Sequence, residues 1–202
     1  MDVKSLKAIS EKISDLINRQ GHGIVITVAN PKGGVGKSSV AATMAHIFSS
    51  LGLKTECTDA DNQASLIDFY EERSKNEEER GTEFSYFPKV TGNSTESVVK
   101  VLKAARNDSQ IIIVDTQGEY TNLEIKILKE SDFCVIPMLP NMADFRKTEI
   151  MLEAVYDIQE AFGKPVMAVL VNNYDGQTIE ARKVIKSVES KSVPLFASKI
   201  PH

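Results

Sequence analysis

The stretch that decides the fold is residues 30–39, NPKGGVGKSS. An apolar run, GIVITVA (23–29), leads into it, and a helical pattern, VAATMAHIFSSL (40–51), follows. Asn30 stands before a proline, which pushes it to extended geometry and ends the strand. Gly33, Gly34 and Gly36 let the backbone turn tightly and approach a ligand with no side chain in the way. A helix that opens near Gly36 and Lys37 aims its free N–H groups and the positive end of its dipole back into the turn. Such a nest holds an oxyanion. Lys37 can then reach β- and γ-phosphates, and Ser38 places a hydroxyl where Mg²⁺ would sit. The strict pattern G-x-x-x-x-G-K-[ST] fails at Pro31. Yet K-G-G-x-G-K-S is longer and rarer, and with glycine at about 7% of residues chance would place it in such a chain on the order of once in tens of thousands.

Working outward, short runs rich in Ile and Val read as buried parallel strands at 24–29, 111–114, 133–136 and 166–171. Weaker strands are expected at 54–58, 84–87 and 195–200. Helical patterns fall between them at 37–51, 62–75, 95–106, 121–130, 143–161 and 177–188. This alternation predicts an α/β fold: a three-layer, doubly wound, mostly parallel sheet flanked by helices. The charged run EERSKNEEERGTE (71–83) reads as a solvated helix end and loop.

Residues 3–19 carry one apolar stripe, Val3, Leu6, Ile9, Ile13, Leu16 and Ile17, ended by Gly21 and Gly23. The domain expectation is therefore an amphipathic helix extension over 1–22 and one P-loop domain over 23–202. The helix can pack on the domain or meet a partner; its mixed charge argues against a membrane surface.

The 202 residues suit one domain with a sizeable core. At 42% hydrophobic and 26% charged the mix is that of a soluble globular protein, and the net charge of −4 excludes a general polyanion binder while leaving room for a local basic face. Cys57 and Cys134 sit far apart inside apolar runs, which supports neither zinc nor an iron–sulfur cluster and fits a reducing compartment. No stretch approaches 18 apolar residues, so the expected location is cytoplasmic and no membrane partner is expected.

The second lysine, Lys32, is the informative departure, because a phosphate loop needs only one. With it, residues 30–39 resemble the deviant Walker A motif of the ParA/MinD family of P-loop ATPases, and the chain looks most like the small ParA partition ATPases. The resemblance covers about residues 24–201. It implies a P-loop NTPase fold, ATP and Mg²⁺ as cofactors, and a homodimer formed with ATP, in which Lys32 reaches the nucleotide of the partner subunit. Gly33, Gly34, Val35, Gly36, Lys37, Ser38 and Ser39 would wrap the phosphates. CTDADNQAS (57–65) resembles the family's D-x-D-P-Q motif, with Asn62 in place of proline. Asp61 would position the attacking water, and Asp59 would order the metal's water shell or else cap a helix. IIIVDTQGE (111–119) resembles Walker B, with Asp115 on the metal and Gly118 in a switch loop. VLVNNYDG (169–176) resembles the strand whose asparagine, here Asn172, contacts adenine, and SKIP (198–201) resembles the loop that completes the base pocket. Family members continue with a further helix, so a truncated C-terminus is left open.

The resemblance also implies a task. Such ATPases dimerise with ATP, bind non-specific DNA on the nucleoid and answer to a ParB-like centromere-binding protein that stimulates a weak basal hydrolysis, thereby segregating plasmid or chromosome. Arg182, Lys183, Lys186, Lys191 and Lys199 cluster near the C-terminus as a DNA face or a merely solvated one. Alternatives are positioning of protein cargo, site-specific DNA binding in conjugative transfer, and a metabolic P-loop kinase or ligase. Lys32 argues against the last.

Overall fold

Three strands are buried at every position: β1 (Ile24–Val28) and β4 (Ile111–Thr116), which are largely apolar, and β2 (Thr55–Ala60), whose sequence TECTDA is mostly polar. β5 (Phe133–Met138) is buried beyond its exposed first residue, and β6 (Val166–Val171) alternates, with Val166 exposed and Ala168 and Leu170 half-buried. β3 (Lys89–Gly92) is short and half-exposed. The computed structural model describes residues 3–80, 88–92, 95 and 97–201. Its strands form one sheet in the order β3-β2-β4-β1-β5-β6. β2 runs parallel to β3 with Glu56 opposite Lys89, and β5 runs parallel to β6 with Phe133 opposite Val166. Helices alternate with the strands: α1 (Val3–Gln20), α2 (Lys37–Ser50), α3 (Ser65–Arg80), α4 (Val98–Asp108), α5 (Asn122–Glu130), α6 (Met142–Phe162) and α7 (Ile179–Ser190). This is the doubly wound parallel architecture of the P-loop NTPase fold. The winding changes direction at β1, whose following loop is the glycine turn at 30–39.

Two expected strands differ. The strand expected at 84–87 lies outside the described residues, and the third strand is 89–92 instead. It is a weak sequence signal, KVTG, fastened by side chains: Lys89 Nζ lies 3.3 Å from the buried Glu56 carboxylate, and Thr91 Oγ1 donates to Cys57 O. The stretch 195–200 is not a strand. It makes only isolated bridges, Val169 to Leu195 and Tyr174 to Pro201. Phe196 N donates to Val169 O, but Ile200 N, four residues on, donates to Val171 O, only two residues on, so a regular ladder register is not kept. The charged run is more helical than expected, because α3 extends to Arg80.

The chain forms two compact units, Met1–Ile26 with Ser38–Asp115, and Thr27–Lys37 with Thr116–His202. In the first, Leu66, Leu102 and Ile111, Ile112 and Ile113 are fully buried. Ile17 of α1 is buried there too, and Ser10 donates to Leu51 O at 3.0 Å. In the second, Ile136, Met138, Met151, Val155, Val169, Val171, Val184 and Val188 make the core. Its long helix α6 is capped by Asn141, whose side chain accepts from Asp144 N, and ends at Gly163 in the left-handed region, φ 73°. Both cysteines are buried free thiols. Burial pushes the Cys57 thiol up to about 12 and raises Cys134 as well, so neither is a nucleophile near neutral pH. Among the described residues no helix is long and apolar enough to cross a membrane.

Candidate nucleotide site

The glycine turn is held from its stem. Asn30 is fully buried, and its amide donates to Pro137 O at 2.8 Å and to Thr148 Oγ1 at 2.9 Å. Its oxygen accepts from Lys32 N at 2.9 Å, which starts the turn. Gly34 and Gly36 have φ of 76° and 92°, a region closed to most side chains. Gly36 is constrained twice, since a Cβ there would also run into the Asn172 amide. Lys37 opens α2, as expected, and is 8% exposed. Its Nζ donates to Lys32 O at 3.3 Å, under the loop.

Lys32 and Lys37 therefore differ in kind. The Lys32 side chain is 34% exposed, and its Nζ lies 3.9 Å from Oδ1 of Asp144, at the start of α6. The contact is long and its ammonium end is open, although the Asp144 carboxylate is only 7% exposed. Lys32 is thus joined to its own chain by one long contact, at the edge of ion-pair range.

On the other side of the loop, Gly118 comes against it. A Cβ on Gly118 would sit 3.4 Å from Gly33 Cα and 3.5 Å from Lys37 Nζ. Gly118, expected in a switch loop, thus lies against the backbone of the phosphate turn. Asn172 and SKIP are also brought together: Ile200 N donates to Val171 O at 2.9 Å, and Tyr174 N to Ile200 O at 2.8 Å. Asn172 does more than wait for a base, because its Nδ2 donates to Val35 O at 3.0 Å and so braces the loop.

In the other unit, Ser38 is half-buried at the start of α2, Ser39 is exposed, and Asp115 is fully buried at the end of β4. Asp59 is buried, and its carboxylate accepts from Asp61 N (3.0 Å), Leu66 N (2.9 Å) and Ile67 N (3.2 Å). These bonds cap α3, the alternative that the sequence left open beside a metal role. Asp61 is half-exposed, accepts from Gln63 N at 2.9 Å through Oδ1, and lines a cleft with Asn62, Ala64 and Thr95.

Three residues were not visible from sequence. Asp144 holds Lys32. Asn30 anchors the stem. Glu124 is 1% exposed, and its Oε1 lies 3.0 Å from Thr116 Oγ1. The only sequence signal at Glu124 is Thr121-x-x-Glu124, which reads as a solvent-facing capping box. Half of the box is there, since Thr121 accepts from Glu124 N, but the carboxyl turns inward.

The donor set fits a magnesium nucleotide. The loop is a cradle of positive-φ glycines with a buried ammonium at its floor, and Ser38 and Asp115 supply oxygen donors of the kind Mg²⁺ prefers. Among the described residues no three acidic, histidine or cysteine side chains converge on a metal position.

Fold and loop together define a P-loop nucleotide-binding α/β domain. The chain belongs to the CbiA family, described as the CobQ/CobB/MinD/ParA nucleotide binding domain, whose profile matches residues 26–202. Among its relatives, the protein ParA of Rhizobium radiobacter is 26% identical over 147 residues, which are 73% of this chain and 63% of that protein. The chain therefore spans less than two thirds of that relative's length. The maintenance of carboxysome distribution protein A of Halothiobacillus neapolitanus is 23% identical over 176 residues, 87% of this chain and 78% of that protein. Similar solved structures include the Mycobacterium smegmatis cobyrinic acid a,c-diamide synthase with bound ADP and magnesium (TM-score 0.72, 19% identity, 89% of this chain and 86% of that one). The pNOB8 ParA bound to nonspecific DNA is another (TM-score 0.62, 21% identity, 84% and 75%). At such identities the structures establish the fold.

Proposed function

We propose that the protein is an ATPase of the partition type, which dimerises around Mg-ATP, binds DNA without sequence preference and thereby positions DNA cargo. The observation that carries the reading is the pair of lysines in one loop: Lys37 buried at its floor, and Lys32 at its mouth with one long contact to Asp144. The floor lysine serves its own nucleotide. The mouth lysine is placed to leave its chain for a partner's phosphates. Gly33 to Ser39 wrap the phosphates, and Asn172 with SKIP meets the base. Mg²⁺, when bound with ATP, offsets phosphate charge, held by Ser38 and Asp115, with Asp59 near its water shell. Asp61 orients the attacking water.

For DNA, the α7 face narrows the set of candidates. Lys191 already pairs with Glu149 on the surface at 2.5 Å. Arg182, Lys183 and Lys186 are exposed and line one groove with Tyr174, Ile179 and Glu189, and Lys199 lies over the Tyr174 ring at 5.3 Å. Three cations along one groove suit a phosphate backbone. A ParB-like stimulating partner and a cytoplasmic, nucleoid-associated location belong to the same proposal. Protein cargo is the second reading, favoured by the carboxysome-distribution relative, which aligns over more of the chain than ParA does.

The test is the solution mass of Asp61→Ala by light scattering with Mg-ATP and then Mg-ADP. A dimer with ATP and a monomer with ADP is expected. A monomer in both, with ATP shown to be bound, sinks the shared-nucleotide reading.

A further inference from the structure

The Thr116 hydroxyl has two neighbours that both ask for its proton. Val28 O lies 3.1 Å away and Glu124 Oε1 3.0 Å away, all three groups buried. A hydroxyl donates once. One proton can only be shared weakly between the two; two full hydrogen bonds need Glu124 to be the donor in one of them, that is, its carboxyl to carry a proton. The arrangement then runs in one direction, from Glu124 to Thr116 to the Val28 carbonyl. The second carboxyl oxygen, Oε2, is buried with no hydrogen-bond partner. An ionised carboxylate left that way is costly, and a neutral one much less so.

The location gives this proton a consequence. Val28 ends β1 at the entry to the phosphate loop, and Thr116 ends β4 just after Asp115. Lys37 faces Glu124 from the loop, Cys134 faces it from β5, and Tyr120 from its own turn, which also feels Asp157 of α6. Of these only the Lys37 ammonium favours the carboxylate.

We infer that Glu124 is a positioning residue of the phosphate site: its neutral carboxyl pins the Thr116 hydroxyl to the Val28 carbonyl and leaves the Lys37 ammonium to phosphate. This rests on the proposed nucleotide site and adds to it a residue outside the loop. Burial raises the Glu124 carboxyl to about 7, against the opposing pulls of the Thr116 bond, Lys37 and the Thr121 backbone N–H. Near neutral pH the two forms therefore exchange, and the ionised form competes with phosphate for Lys37. Nucleotide binding should be accompanied by proton uptake at Glu124 and weaken as pH rises.

The experiment measures Mg-ATP affinity by calorimetry between pH 6 and 8 for the full chain, E124Q and E124L. It pairs this with the infrared carbonyl band of a protonated carboxyl at pH 6, read as wild type minus E124Q without nucleotide. We expect wild-type affinity to fall on the order of tenfold over this range, the equivalent of a one-unit shift in the bound state. E124Q, whose amide can still donate to Thr116, should bind with a flatter pH profile, and the comparison cancels any titration of the nucleotide. E124L should bind more weakly than E124Q at pH 6, since it cannot hold Thr116. The protonated band should be present in wild type only. A missing band, or an E124Q profile as steep as wild type, overturns the inference even where nucleotide binds well. A band with no nucleotide bound by any form overturns the proposed function instead, and with it any part for Glu124 in phosphate binding.

Discussion

The phosphate loop and the α7 face both present lysines to an anion, under opposite constraints. Lys37 is 8% exposed, sits under a loop whose glycines have no conformational alternative, and has another backbone turn, at Gly118, against it. Arg182, Lys183 and Lys186 stand in solvent on one side of a helix, with Glu189 among them. Burial removes options from a charge. It must be compensated, and it can meet a ligand in one way only. Exposure leaves options open, and a solvated cation binds many phosphates weakly. The comparison teaches why one region can be assigned to a particular phosphate and the other only to a kind of surface.

Substitution should reproduce this difference, and the sizes of the effects are what could break it. The largest effect on nucleotide binding itself is expected from Lys37→Ala. Removing the buried partner of a charged ligand costs about 2–5 kcal/mol, so Mg-ATP affinity should fall by about 1.5–3.5 decades in a calorimetric titration. A loss under threefold would mean that the floor lysine does not touch the nucleotide. Lys32→Ala comes next and sharpens the contrast within the loop. Nucleotide affinity of the monomer should hold within a few-fold, while the ATP-dependent dimer weakens by about two to four decades, from two symmetric charged contacts of about 1.5–3 kcal/mol each. Sedimentation against concentration measures it, and equal losses of nucleotide affinity in both lysine variants would erase the distinction. The smallest effect per residue belongs to α7. In Arg182→Ala/Lys183→Ala/Lys186→Ala the salt dependence of DNA binding should become shallower by about 2–3 in log–log slope, with little change from one DNA sequence to another. An unchanged slope would move the DNA surface elsewhere.

Much of the fold was legible because its signals are local. β1 and β4 are runs such as IVITV and IIIV, and both lie where their runs predict. β3 was missed because KVTG has no such run; it is a strand because Lys89 and Thr91 fasten to Glu56 and Cys57, residues more than thirty positions away. The 195–200 stretch misled for the opposite reason. Its apolar residues suggest a strand, but its donors at Phe196 and Ile200 meet β6 out of register, four residues against two.

The site divides in the same way. Gly33, Gly34, Gly36, Lys37 and Ser38 could be read directly, since a tight turn before a helix restricts which residues it can contain. Glu124 could not, because Thr-x-x-Glu has the same appearance whether the carboxyl turns to water or to Thr116. Asp144 likewise gives no sign in sequence that it meets Lys32, more than a hundred residues earlier.

By itself the sequence determined the alternation of strand and helix, the phosphate loop between the first pair, and the oddity of a second lysine in it. These follow from backbone sterics and periodicity within a few residues, which no distant contact can rewrite. Only the tertiary structure decided that one lysine is buried and the other joined to Asp144 by one long contact, that Asn172 braces the loop, that Asp59 caps α3, and that Glu124 lies against Thr116. Burial and hydrogen-bond partners are properties of elements packed together, and packing joins residues that the chain keeps far apart.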